Sequence, residues 1–183
     1  MKRKVLATVF SLAAAATAFA GIDAAFAGGR DKQFFQSIEG TWTGAGEIVA
    51  GKYKGTKFNC TFDGSTPGKN LGMTLDGNCR VGVFTQKMTA TVAANTAVGY
   101  KGQFQDGAAG TGLDITAGNV VNDRKVVFAI HRNDLRGVMQ ARLPNDDTMN
   151  VTISVRVEES MVPVIGMSLK RVDATAVGAI AQQ

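Results

Sequence analysis

MNVTISVRV, residues 149–157, alternates without a break. Met149, Val151, Ile153, Val155 and Val157 fall on one side, Asn150, Thr152, Ser154 and Arg156 on the other. Successive side chains of an extended chain point to opposite faces, so a period of two marks a strand with one buried and one wetted face. The same phase recurs along the chain. Phe58, Cys60 and Phe62 share a face, as do Leu71, Met73, Leu75 and Cys79, then Phe84, Gln86, Met88, Ala90 and Val92. Tyr100 and Phe104 follow, then Val126, Phe128 and Ile130, Met139, Ala141 and Leu143, and finally Ile165, Met167 and Leu169.

Between these runs lie turn signals: Asp63-Gly64, Pro67-Gly68, Asp76-Gly77, Asp106-Gly107, Gly118-Asn119, Asn122-Asp123, Asn133-Asp134 and Asn145-Asp146. No helix-length segment separates the strands, and short connections pair neighbours antiparallel, which describes a meander. A meander with one apolar face must bury it by curling into a barrel or folding into a sandwich. The chain has 22 glycines. Several fall inside strand patterns (Gly44, Gly46, Gly55, Gly82, Gly102, Gly166) and suit the kinks of a closed wall. The expected fold is all-β, an antiparallel meander closed into a small barrel of about 8–10 strands.

The N-terminus sets the compartment. MKRK is a charged lead, VLATVFSLAAAATAFA is an apolar core, and Ala25-Phe26-Ala27 offers a small-x-small cleavage site, with Ala18-Phe19-Ala20 as a second. The pattern is that of a secretory signal peptide over Met1–Ala27, its apolar run shorter than the ~20 residues a spanning helix needs. The domain organisation read from the chain is thus signal peptide 1–27, lead-in 28–39, barrel 40–173 and flexible tail 174–183. In the lead-in, residues 33–39 suit one helical turn with Phe34, Phe35 and Ile38 able to cap a core, and residues 28–32 read as mobile. Lys2, Arg3, Lys4 and Asp23 leave with the peptide, so Lys+Arg falls from 20 to 17, Asp+Glu from 15 to 14, and the net charge from +5 to +3. The remaining charges are scattered, without the concentrated footprint that nucleic acid demands. Periplasmic or secreted localisation is expected.

Cys60 and Cys79 are the only cysteines. In an exported chain an even count reads as a disulfide. Both are in phase with apolar positions, so the bridge should face inward between neighbouring strands, and the spacing suits neither a metal site nor a redox pair.

Gly40-Thr41-Trp42 resembles the Gly-x-Trp on the first strand of the lipocalin and calycin superfamily. There the tryptophan closes one barrel end under a basic side chain from the last strand. Arg171 continues the apolar phase of Ile165, Met167 and Leu169 and is the matching residue. The resemblance implies a structural plug of Trp42 under Arg171. The Gly-x-Trp with two cysteines about 20 apart is also similar to small periplasmic inhibitors of alkaline metalloproteases. More generally the chain looks like small envelope proteins of alphaproteobacteria.

Catalytic constellations are thin. His131 is the sole histidine, and by alternation it points outward. No serine carries a nucleophile motif, and nothing selects a carboxylate pair among Glu47, Asp76, Asp114 and the rest. The expectation is a non-enzymatic protein with no cofactor and no metal. Gln86 interrupts an apolar face, and a buried amide must be paired or cost about 1–3 kcal/mol. It is therefore the polar candidate in a ligand site with Phe84, Met88, Phe104 and Met139. A small apolar or amphipathic ligand within the barrel is one reading. The alternative is an envelope structural or interaction protein, or a protease inhibitor, acting on a protein partner through loops such as 64–70. An integral membrane protein is not expected, since no aromatic girdle is visible.

Overall fold

The computed structural model describes residues 22–68, 71–105 and 112–172, with only the backbone of 22–27. The signal-peptide reading falls almost wholly outside these residues, as does the reading of 174–183 as a tail. One helix, α1 (Ile22–Ser37), precedes ten strands: β1 (Gly40–Ile48), β2 (Lys57–Ser65), β3 (Gly72–Val81), β4 (Phe84–Asn95), β5 (Gly99–Gln105), β6 (Leu113–Asn122), β7 (Lys125–Arg132), β8 (Leu135–Asn145), β9 (Thr148–Val157) and β10 (Ser160–Arg171). Each strand pairs antiparallel with its neighbours in sequence, and β1 pairs with β10 to close the barrel. The all-β meander expected from the alternation is therefore the fold, with ten strands and one disulfide.

The inward phase is the apolar one. Trp42, Phe62, Val92, Val126, Phe128 and Leu169 are buried inside the wall. The outward phase is largely polar: Asn59, Thr61 and Asp63 on β2 and Asn78 and Arg80 on β3 are exposed. No helix among the described residues is long and apolar enough to cross a membrane.

Several sequence signals mean something other than expected. Asp63-Gly64 lies inside β2, Asp76-Gly77 inside β3 and Gly118-Asn119 inside β6. Their glycines answer to crowding. A Cβ on Gly64 would sit 2.1 Å from the Ile38 carbonyl oxygen, and one on Gly77 2.0 Å from that of Thr61. Gly55 and Gly82, read as strand glycines, are in turns. Pro163, which cannot donate to a ladder, sits where the β9–β10 register shifts, and Val49 N–H donates to the Val164 carbonyl there at 2.9 Å.

α1 is longer than the single turn expected and runs through residues 28–32, which read as mobile. Its holding contacts explain this. Phe34, Phe35 and Ile38 are buried against the barrel end, Phe35 meets Tyr100 edge-on with ring centroids 5.0 Å apart, and the Tyr100 hydroxyl donates to Asp31 Oδ2 at 2.6 Å. Packing outweighs the helix cost of Gly28 and Gly29, about 1 kcal/mol each.

Cys60 and Cys79 are bonded and stand directly opposite each other on β2 and β3, both buried. Cutting this tie releases a loop whose closure contributes about 3 kcal/mol in the chain-entropy model. Reduction, or Cys60→Ser with Cys79→Ser, should lower the unfolding free energy by that order, measured from denaturant curves followed by tryptophan fluorescence with and without reductant.

Candidate functional site

The barrel has two unlike ends. The starts of β1, β3, β5, β7 and β9 define a closed end, over which α1 lies; their other ends, with the connections 49–56, 82–83, 133–134 and 158–159, form the mouth.

At the closed end Trp42 and Arg171 are register partners on β1 and β10. The guanidinium carbon lies 4.3 Å from the centre of the Trp42 ring, within range of a cation–π contact. The same guanidinium serves the end of the helix. Nη2 donates to the Ser37 carbonyl at 2.7 Å, Nη1 to that of Glu39, and Nε to that of Asp146 at 3.1 Å. A helix leaves its last carbonyls without intrahelical partners and carries partial negative charge there, so a cation with several N–H groups suits the place. Trp42 Nε1–H donates to the Ile38 carbonyl at 3.0 Å. One aromatic–cation pair thus fastens first strand, last strand and helix.

Asp31 and Tyr100 make a second tie. Asp31 Oδ1 is buried without a hydrogen bond and lies 3.5 Å from Arg30 Nε. Burial, then the hydrogen bond to Asp31 and its charge, push the Tyr100 hydroxyl pKa well above its ordinary 10.0. Nothing in the alternation pattern marks Asp31; the only signal is its spacing of three and four from Phe34 and Phe35, which is helical.

Within the wall lies a cavity of about 60 Å³, taken as the space open to the centre of a water-sized sphere. Its lining is wholly apolar, from Phe34 and Ile38 of the plug to Phe104, Met139, Ile153 and Met167. Phe104 and Met139, two of the residues expected around a ligand, are therefore on the cavity surface. Met88 is half-buried and packs against the core. Phe84 and Gln86 are not on that surface: both keep the inward phase but are exposed near the tip of the β3–β4 hairpin. Residues 84–87 pair with β3 and are exposed on both faces. The Gln86 amide donates to the Lys87 carbonyl at 3.4 Å and is not a buried polar group.

The remaining polar candidates do not converge. Glu47, Asp76 and Asp114 lie on β1, β3 and β6, no two of which are neighbours. Asp76 accepts from Thr89 Oγ1 at 3.0 Å. His131 stands between Asp114 and Arg136 in register on the outward face. Among the described residues no three of His, Cys, Asp and Glu are grouped to hold a metal.

No protein-family model matches this chain, and no curated protein matches its sequence.

Arg171→Met, which keeps the packing volume and removes the charge, should cost about 2 kcal/mol in urea unfolding, since it strips the cation–π contact and the helix carbonyls together. Tyr100→Phe should cost about 1–3 kcal/mol near neutral pH, because Asp31 loses its partner. The raised Tyr100 pKa means that the unfolded chain releases this proton first as pH rises. Its contribution is whole below about pH 10 and falls away above it, so the gap between wild type and Tyr100→Phe should narrow in unfolding curves taken above pH 10.

Proposed function

We propose that this is an exported, non-enzymatic barrel that holds the apolar part of a small molecule in its interior. The observation that carries the reading is the cavity and its lining. Water retained inside a protein needs two to four polar partners, and this lining offers none, so hydrocarbon suits the space better than water does. Met73, Met139, Met149 and Met167 line it, and unbranched thioethers adapt to occupants of different shape.

The expected signal peptide supports a periplasmic or secreted setting, with which the disulfide agrees. Among the described residues the polar outward face lacks the apolar band, about 25 Å tall, of a barrel that spans an outer membrane. Kinship with the lipocalin and calycin superfamily belongs to the same proposal. Its support is the pairing of first-strand Trp42 with last-strand Arg171 at a closed barrel end. A role through protein contacts alone is the competing reading, favoured by how narrow the cavity is.

Mass spectrometry of the protein purified from the periplasm, native and then denatured, tests the carrier. A native mass that exceeds the denatured one by a reproducible small-molecule increment is expected, and Met139→Trp, which fills the cavity, should abolish the increment while the protein stays folded. Equal masses for the wild type, together with no uptake of a fluorescent fatty acid, would remove the reading.

A further inference from the structure

The exposed apolar side chains are concentrated at the mouth. Of the exposed large hydrophobics among the described residues, Val49, Tyr53, Val81, Val83, Phe84, Leu135, Val157 and Met161 all belong to its connections or the strand ends beside them; Val121 alone lies at the closed end. The most exposed stand together on two adjoining pieces, the loop between β1 and β2 and the overhanging tip of the β3–β4 hairpin. Val83 is 82% exposed, Phe84 78% and Tyr53 63%.

The charge around these tips is one-sided. Residues 47–57 and 80–87 carry Lys52, Lys54, Lys57, Arg80 and Lys87 against Glu47 alone, and all five basic residues are exposed. Glu47 faces Lys57 in the β1–β2 register, which leaves the other four without an acid opposite among the described residues. Lys52 Nζ lies 5.5 Å from the centre of the Tyr53 ring, and Arg80 Nε donates to the Gly82 carbonyl at 2.9 Å, bracing the hairpin tip. Among the described residues, the acids of the other mouth turns, Asp134, Glu158 and Glu159, belong to the β7–β8 and β9–β10 connections. Apolar tips backed by basic side chains match the depth profile of an anionic bilayer surface, with hydrocarbon beneath and phosphate at the level of the cations.

We propose that the β3–β4 hairpin tip and the β1–β2 loop seat the protein on an anionic phospholipid surface. Val83, Phe84 and Tyr53 enter the headgroup region, and Lys52, Lys54, Arg80 and Lys87 meet lipid phosphates. The mouth then faces the bilayer and the α1 plug faces water. This stands on the surface of the mouth, not on the cavity, and holds or fails independently of the carrier reading.

Sedimentation of the signal-cleaved protein with vesicles tests it, comparing phosphatidylcholine alone with phosphatidylcholine containing phosphatidylglycerol. Binding to the phosphatidylglycerol vesicles only, weakening as salt rises, is expected. Lys52→Gln and Lys54→Gln should each lower the partition coefficient about five-fold. Val83→Ser with Phe84→Ser, at positions too exposed to disturb the fold, should lower it further while leaving the thermal midpoint and any native mass increment unchanged. Absence of binding to phosphatidylglycerol vesicles overturns the proposal, as does binding indifferent to the serine pair. Concentration-dependent dimerisation abolished by the serine pair, without vesicle binding, would assign the face to a second copy of the chain instead.

Discussion

The closed end depends on a contact between side chains separated by nearly the whole barrel domain. Trp42 and Arg171 sit opposite each other where β1 meets β10, and the Arg171 guanidinium also holds the carbonyls that end α1. A barrel wall needs a seam, and a barrel end needs a lid; here one residue pair serves both. The indole is fully buried, so the ring's desolvation strengthens its attraction for the cation above it. Gly64 leaves room for the Ile38 carbonyl beside that assembly, which is what lets the helix end come down onto the wall.

Much of this architecture was legible in the chain because alternation is a local signal. Met149 to Val157 announces its two faces in nine residues, and the same phase placed Cys60 and Cys79 inward on neighbouring strands. The failures have physical causes. Asp63-Gly64 and Asp76-Gly77 have the composition of turns, yet their glycines are there because another backbone passes within contact distance, a tertiary fact that no local pattern carries. Phe84 and Gln86 have the correct phase but are exposed, since phase says which way a side chain points and not how far along the barrel it lies. Gly28 and Gly29 hid a helix whose stability comes from the barrel end that it covers.

The two ends divide the work of the fold. The plug end is tied by hydrogen bonds from Trp42, Tyr100 and Arg171 to α1 or to the carbonyls that follow it. The mouth leaves apolar side chains in water, which contributes nothing to folding. Such side chains gathered at one end of a barrel mark a surface shaped by what it meets rather than by stability.

The seam also shapes the route to the folded state. Neighbouring strands in a meander can zip as hairpins, each closing a short loop. Joining β1 to β10 brings together residues such as Ser37 and Arg171, 134 positions apart, and the chain entropy lost in that closure must be met before the contact returns anything. Until then the sheet has two free edges and an unroofed apolar face. Because the strand that closes the wall is also the last in the chain, the Trp42–Arg171 contact cannot form before its arrival.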